Sequence, residues 1–134
     1  MFLDEIAARL VSQSVGTLGS NIFLGSRAAI PSGDGPYLSL TETGGSAPSR
    51  IHNVATSNTQ RPTAQILVRA KKYNIARPMA DAAYRALDGI YNTTLSGTFY
   101  QSVVARQEPG DIGLDSLERV MITFNIEAEK SPSA

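Results

Sequence analysis

From Glu118 to Ala128 the chain alternates without a break. Val120, Ile122, Phe124, Ile126 and Ala128 fall on one side, and Arg119, Met121, Thr123, Asn125 and Glu127 on the other. A period of two is the signature of a strand with one face buried. Such a strand needs partners along its edges and a layer over its apolar face, so the rest of the chain must supply both. At 134 residues it can do so within one domain, 1–134, around a modest core.

Partners are legible elsewhere. Thr63 to Ala70 places Ala64, Ile66, Val68 and Ala70 on one face and Gln65, Leu67 and Arg69 on the other. Tyr37 to Glu42 alternates and is its expected partner. Thr98 to Arg106 reads as a further long strand and Asn21 to Leu24 as a short one. Two segments carry helical spacing instead. Phe2, Leu3, Ile6, Ala7, Leu10 and Val11 form one stripe over Phe2–Gln13, with Asp4, Glu5 and Arg9 off it. Ile75, Met79, Ala82, Ala83, Ala86, Leu87 and Ile90 form another over Asn74–Tyr91, with Pro78 near its start, where a missing N–H costs little. The order predicts an α+β fold: a mostly antiparallel sheet of about four to five strands with two main helices packed on one face.

Between the strands ending near Glu42 and starting near Thr63 lie about twenty residues of Gly, Ser, Thr, Asn and Pro. This stretch, 43–61, reads as a long projecting loop. The connection Gln107 to Asp115 reads as turns around Pro109, Gly110 and Gly113, and 130–134 as a flexible tail.

Chemistry is scarce. Lys plus Arg and Asp plus Glu both number 12, which gives no electrostatic push toward nucleic acid or an anionic membrane. The absence of cysteine excludes disulfides, thiolate metal sites and a cysteine nucleophile. The start, Met1-Phe2-Leu3-Asp4-Glu5, does not read as a signal peptide, and no apolar run approaches the ~18 residues of a membrane span. His52 is the only histidine and sits in a polar stretch, so neither a histidine metal site nor a catalytic triad is expected. Gly33-Asp34-Gly35 is followed by Pro36 and a strand, not by the helix a phosphate loop requires. Asp111, Asp115 and Glu118 do not have the spacing of a calcium loop. Arg50, Arg61, Arg69, Lys71, Lys72 and Arg106 could align as a basic stripe, but few aromatics accompany them. No cofactor, metal or catalytic residue is expected. The alternatives to an assembly protein are a small nucleic-acid-binding module, which the charge balance disfavours, and an enzyme, for which no nucleophile–base set appears.

The opening helix, "NIFLG", "GPYLSLTETGG", "RPTAQILVRA", "ARPMADAAYRAL" and "QEPGDIGLDSLERVMITFNIEAE" resemble the tail-terminator and minor-capsid proteins that join head to tail in long-tailed phages. The resemblance runs from about Phe2 to Glu129. It implies a homohexameric ring that caps the head-proximal end of the tail tube, ends its polymerisation and offers the head-joining surface. It implies as partners further copies of the chain, the tail tube protein and a head-completion or stopper protein, with DNA only as cargo passing the lumen and no membrane. The implied location is the virion tail or neck, after assembly in the host cytoplasm. A stopper, neck or minor capsid role is the nearest alternative. The residues expected at interfaces are Gly44, Gly45, Arg50, His52, Arg61, Arg106, Asp111 and Asp115, and replacing Asp111 and Asp115 together is expected to weaken assembly without unfolding the protomer.

Overall fold

In the computed structural model, the described residues are 2–25, 35–49, 59–115 and 118–130. The elements are α1 (Phe2–Ser12), β1 (Ile22–Leu24), β2 (Tyr37–Ser49), β3 (Thr59–Ala70), α2 (Tyr73–Leu87), β4 (Ile90–Leu95), β5 (Thr98–Ala105), β6 (Gly110–Leu114) and β7 (Val120–Lys130). The strands form a single seven-stranded sheet in the order β1-β2-β3-β7-β5-β4, with β6 also paired to β7. This corrects the expected four to five strands in a mostly antiparallel sheet. The sheet is mixed, because β1 runs parallel to β2, and two strands were not anticipated. The residues of β4 begin inside the helix predicted over Asn74–Tyr91, because Ile90 continues the spacing of Leu87. The helix in fact ends at Leu87, Gly89 turns the chain with φ of +80°, and Ile90 is buried from a strand. β6 falls in the stretch predicted as turns, because two of its five residues are glycine.

The strand with the clearest alternation lies at the centre. β7 pairs with β3 along its whole length. Its other edge is shared: β5 takes Ile126 to Lys130 and β6 takes Val120 to Thr123. Register puts Leu40, Ile66 and Phe124 in one row and Leu38, Val68 and Ile122 in the next, all fully buried. Both helices cover this face. α2 brings Ala76, Met79, Ala80, Ala83, Ala86 and Leu87, and its many alanines let the helix sit close on the strands. Tyr84 meets Phe124 edge to face, with ring centroids 5.8 Å apart. α1 adds Phe2, Leu3, Ile6, Ala7 and Leu10. Two residues of the expected stripes, Val11 and Ile75, are each 42% exposed.

The stretch read as a loop over 43–61 is strand at both ends. β2 continues to Ser49 and β3 starts at Thr59, with Ser46 opposite Arg61 and Ser49 opposite Thr59. Thr43 is an extra residue opposite no partner, and Gly44 follows with φ of +92°, the left-handed conformation such a bulge favours. The strand β7 likewise reaches Lys130, the first residue of the expected tail; 131–134 lie outside the described residues.

Gly35 is held more tightly. Its φ is +83°, and a Cβ there would lie 2.5 Å from the carbonyl oxygen of Arg69 and 2.8 Å from the amide nitrogen of Tyr37. Both obstacles are backbone and cannot swing aside. Gly35→Ala should therefore destabilise the fold by about 1–3 kcal/mol, read as a lower urea midpoint with an unchanged slope.

Candidate assembly surfaces

The helix-free face of the sheet alternates with the core. Thr41, Gln65 and Asn125 lie in one row, and Ser39, Leu67 and Thr123 in the next. Uncharged groups, polar except for Leu67, thus fill its middle. Toward one end, charges alternate in sign across three strands. Arg61 on β3 lies 3.7 Å from Glu129 on β7, and Arg106, just past β5, lies 3.5 Å from Glu127 on β7. All four are well exposed, so these pairs contribute little to stability, about 0–1 kcal/mol each. They do break up the basic stripe that the sequence suggested. The shallow cleft beside them, lined by Arg61, Ser102, Val104, Glu127 and Glu129, holds about 220 Å³. That is below the usual range of small-molecule sites, ~300–1,000 Å³.

Toward the other end, Tyr37 meets Phe23 edge to face at 5.8 Å and lies under the Arg69 guanidinium at 5.7 Å. Burial, reinforced by the like charge of Arg119, holds the Arg69 pKa below its ordinary value.

β6 lies at that same end and is bonded to β7 alone among the described strands. All five of its residues are exposed, and Ile112 and Leu114 expose 52% and 59% of their surface. Asp111 accepts a hydrogen bond from the Gly113 amide at 2.8 Å, which shapes the bulge in β6. Asp115 does different work. Its carboxylate accepts from the backbone amide of Arg119 at 2.9 Å and from its Nε at 2.8 Å, closing the turn between β6 and β7 around a buried guanidinium. A second exposed apolar pair, Tyr91 and Phe99, sits on the β4–β5 hairpin at the edge of the sheet.

The expected interface residues thus separate into groups. Gly44, Gly45 and Arg61 belong to the β2–β3 hairpin, and Arg106 faces Glu127 in the alternating charges. Asp111 and Asp115 lie far along β7 from that hairpin, beside β6. Arg50 and His52 lie outside the described residues. Asp111 and Asp115 are not equivalent. Asp115→Ala should cost about 1–3 kcal/mol, since it strips two hydrogen bonds from buried Arg119. Asp111→Ala should stay within ~0.5 kcal/mol in a urea titration. Only Asp111 can therefore report on assembly apart from folding.

One buried polar cluster has no signature in the sequence pattern. Glu5, placed off the apolar stripe, is 4% exposed. It accepts hydrogen bonds from the Thr98 hydroxyl and, at 2.7 Å, from the Tyr100 hydroxyl, and it lies 3.6 Å from the Lys130 ammonium. Lys130 is itself buried, 5.9 Å from the ring centroids of both Phe2 and Tyr100. Burial, the hydrogen bond to Glu5 and the Glu5 charge raise the Tyr100 pKa well above its ordinary value. The cluster ties α1 to β5 and to the end of β7. Glu5 also lines, with Arg9, Ser12, Thr93 and Ser96, an open cleft of about 300 Å³ between α1 and β4. Among the described residues no group of three or more His, Cys, Asp or Glu is placed to hold a metal ion. No helix among them is long and apolar enough to cross a membrane.

Residues 9–132 match the bacteriophage tail terminator protein family. The chain belongs to that family. This tail terminator family member is thus a structural phage protein of the tail and head–tail region, a component of the virion. Its fold is similar to that of a chain in the solved virion of a native gene transfer agent (GTA) particle. The two share 15% identity with a TM-score of 0.59, over 92% of this chain and 84% of that one. At that identity the likeness concerns the fold. A comparison with curated protein sequences gives no match.

Proposed function

We propose that this chain closes into a homohexameric ring on the head-proximal end of the tail tube of a long-tailed phage. There it ends tube polymerisation and offers the surface that a head-completion or stopper protein joins. DNA passes through the ring only as cargo, and assembly takes place in the host cytoplasm. The match of residues 9–132 to the tail terminator family carries this reading. The physical features agree with it. A ring uses one heterologous contact repeated by rotation, so each copy must present two different complementary surfaces. The ends of this sheet differ in that way. One end carries the β2–β3 hairpin, and the other carries β6 with its exposed apolar edge.

The reading is tested in a phage whose copy of this chain carries an early stop codon. The expected lysate contains tail tubes of uncontrolled length and unjoined heads, and adding the purified protein restores joining to tubes of normal length. Tubes of normal length already joined to heads in that lysate would overturn it.

A further inference from the structure

We propose that the open cleft between α1 and β4 is the receiving half of the ring contact, and that it takes the Asp111 carboxylate of a neighbouring copy of this chain against Arg9. The inference rests on the ring reading and names the contact that would repeat around it.

The receiving half begins with the order of residues in α1. Glu5 and Arg9 stand one helical turn apart, a spacing at which a carboxylate and a guanidinium normally pair. Here the Glu5 carboxylate is engaged by Thr98, Tyr100 and Lys130 instead. Arg9 donates through Nε to the Ala86 carbonyl at 3.1 Å, which fixes the guanidinium, and it forms no ion pair among the described residues. Its terminal nitrogens, the pair best matched to a carboxylate, therefore remain as donors, and the side chain lines the cleft of about 300 Å³. Glu5 is the one carboxylate lining that cleft, and Lys130 at 3.6 Å offsets it, so Arg9 sets the sign of the space. The Thr94 and Ser96 hydroxyls at the rim are exposed and make no hydrogen bond among the described residues. The hairpin that forms this wall also carries the exposed Tyr91 and Phe99. An arginine beside open aromatic rings is the composition of an interface hot spot.

The complementary surface lies at the opposite end of the sheet. Asp111 is exposed and forms no ion pair among the described residues. Its Oδ1 accepts from the Gly113 amide at 2.8 Å, so the carboxylate is held in place and its second oxygen is left for a partner. Glu108, exposed close by, adds charge of the same sign, and Ile112 offers apolar surface to the aromatic pair. Register places Asp111 opposite Ile122, on the helix-covered side of the sheet, where α1 forms the cleft. One end thus offers a fixed cation with aromatic rings, and the other a fixed anion with an aliphatic one. A contact repeated by rotation needs two such unlike surfaces on each copy.

Distance excludes the same copy. Asp111 lies level with Ile122 on β7, whereas Tyr100, which binds Glu5, lies level with Lys130. Those levels are about 26 Å apart at a rise of ~3.3 Å per residue. Arg9 is only one helical turn from Glu5 and is tied to Ala86, so no side chain bridges the gap.

The test is a double-mutant cycle on the protein concentration for half-assembly, read by light scattering, alone or on purified tail tubes. Arg9→Gln and Asp111→Asn should each raise that concentration roughly tenfold, and the double variant no further than either alone. Urea midpoints check that each protomer stays folded. A second measurement leaves both residues in place. The chain has no cysteine, and a side chain at Gly110 would meet nothing, so Thr94→Cys/Gly110→Cys puts one thiol on each half of the contact. After assembly, a short bismaleimide should give a ladder from dimer upward on a denaturing gel. Single variants that assemble like the natural chain, or a double variant weakened roughly a hundredfold as independent sites require, would overturn the inference and leave the ring reading standing. Rings or capped tubes whose subunits stay monomeric on the gel, or cross-link only to the tube protein, would do the same. If the unsubstituted protein forms no ring and caps no tube, the ring reading fails, and the inference with it.

Discussion

Glu5→Ala should lower the stability of the protomer by about 3–5 kcal/mol, the largest loss expected from any single charged residue here. The substitution leaves the Lys130 ammonium in a buried site without its carboxylate and removes the acceptor of the Thr98 and Tyr100 hydroxyls. Removing one member of a buried pair costs far more than the pair itself contributes, because the remaining charge stays desolvated. Glu5→Gln keeps an acceptor for the two hydroxyls and should cost less. The same cluster gives a pH dependence with a definite sign. Burial alone would raise the Glu5 pKa. The hydrogen bonds from Thr98 and Tyr100, with the Lys130 charge and the N-terminal amine, outweigh it and hold the group below its ordinary 4.5. The unfolded chain therefore takes up the proton first as pH falls. The contribution of Glu5 is complete above the ordinary carboxylate range and is lost as pH falls through the depressed folded value. Urea midpoints across that range should fall more steeply for the natural chain than for Glu5→Gln. Parallel slopes would mean that the carboxylate is not held in its charged form.

Phe124→Ala should cost about 3–5 kcal/mol, by a different route. Phe124 is fully buried on the central strand, in the row it shares with Leu40 and Ile66, and it carries Tyr84 of α2 against its ring. The truncation opens a cavity at the point where helix and sheet meet, and neither can collapse into it while both are held elsewhere. Equilibrium urea unfolding should show a much lower midpoint. Phe124→Leu, which fills most of the space, should lose markedly less. Equal losses for the two would place the effect outside the packing.

The difference between these two residues shows what the amino-acid order could reveal. Phe124 was legible, because its neighbours at every second position are apolar and the pattern has only one physical reading. The core faces of β3 and β7 were legible for the same reason. Glu5 and Lys130 were not. A carboxylate in the first helical turn and a lysine at a strand end look solvated, and only the fold, by bringing α1 onto β5 and β7, puts them together. β4 was hidden because Ile90 satisfies the period of a helix and of a strand alike, so the glycine before it had to decide. β6 was hidden because its pairing is set by β7 and not by its own glycine-rich sequence. The residues expected at interfaces rest on polar and glycine positions alone, a pattern that does not tell a contact from a solvated turn. The structure separates Asp111, which is free to meet a partner, from Asp115, whose carboxylate holds Arg119.

The most direct test of the central claim is the mass of the purified protein in solution by light scattering, at low and high concentration, alone and with purified tail tubes whose ends are then imaged. A discrete ring mass, or tubes capped at one end only, is the expected result. A protein that stays monomeric at every concentration and leaves the tube ends bare would contradict the account.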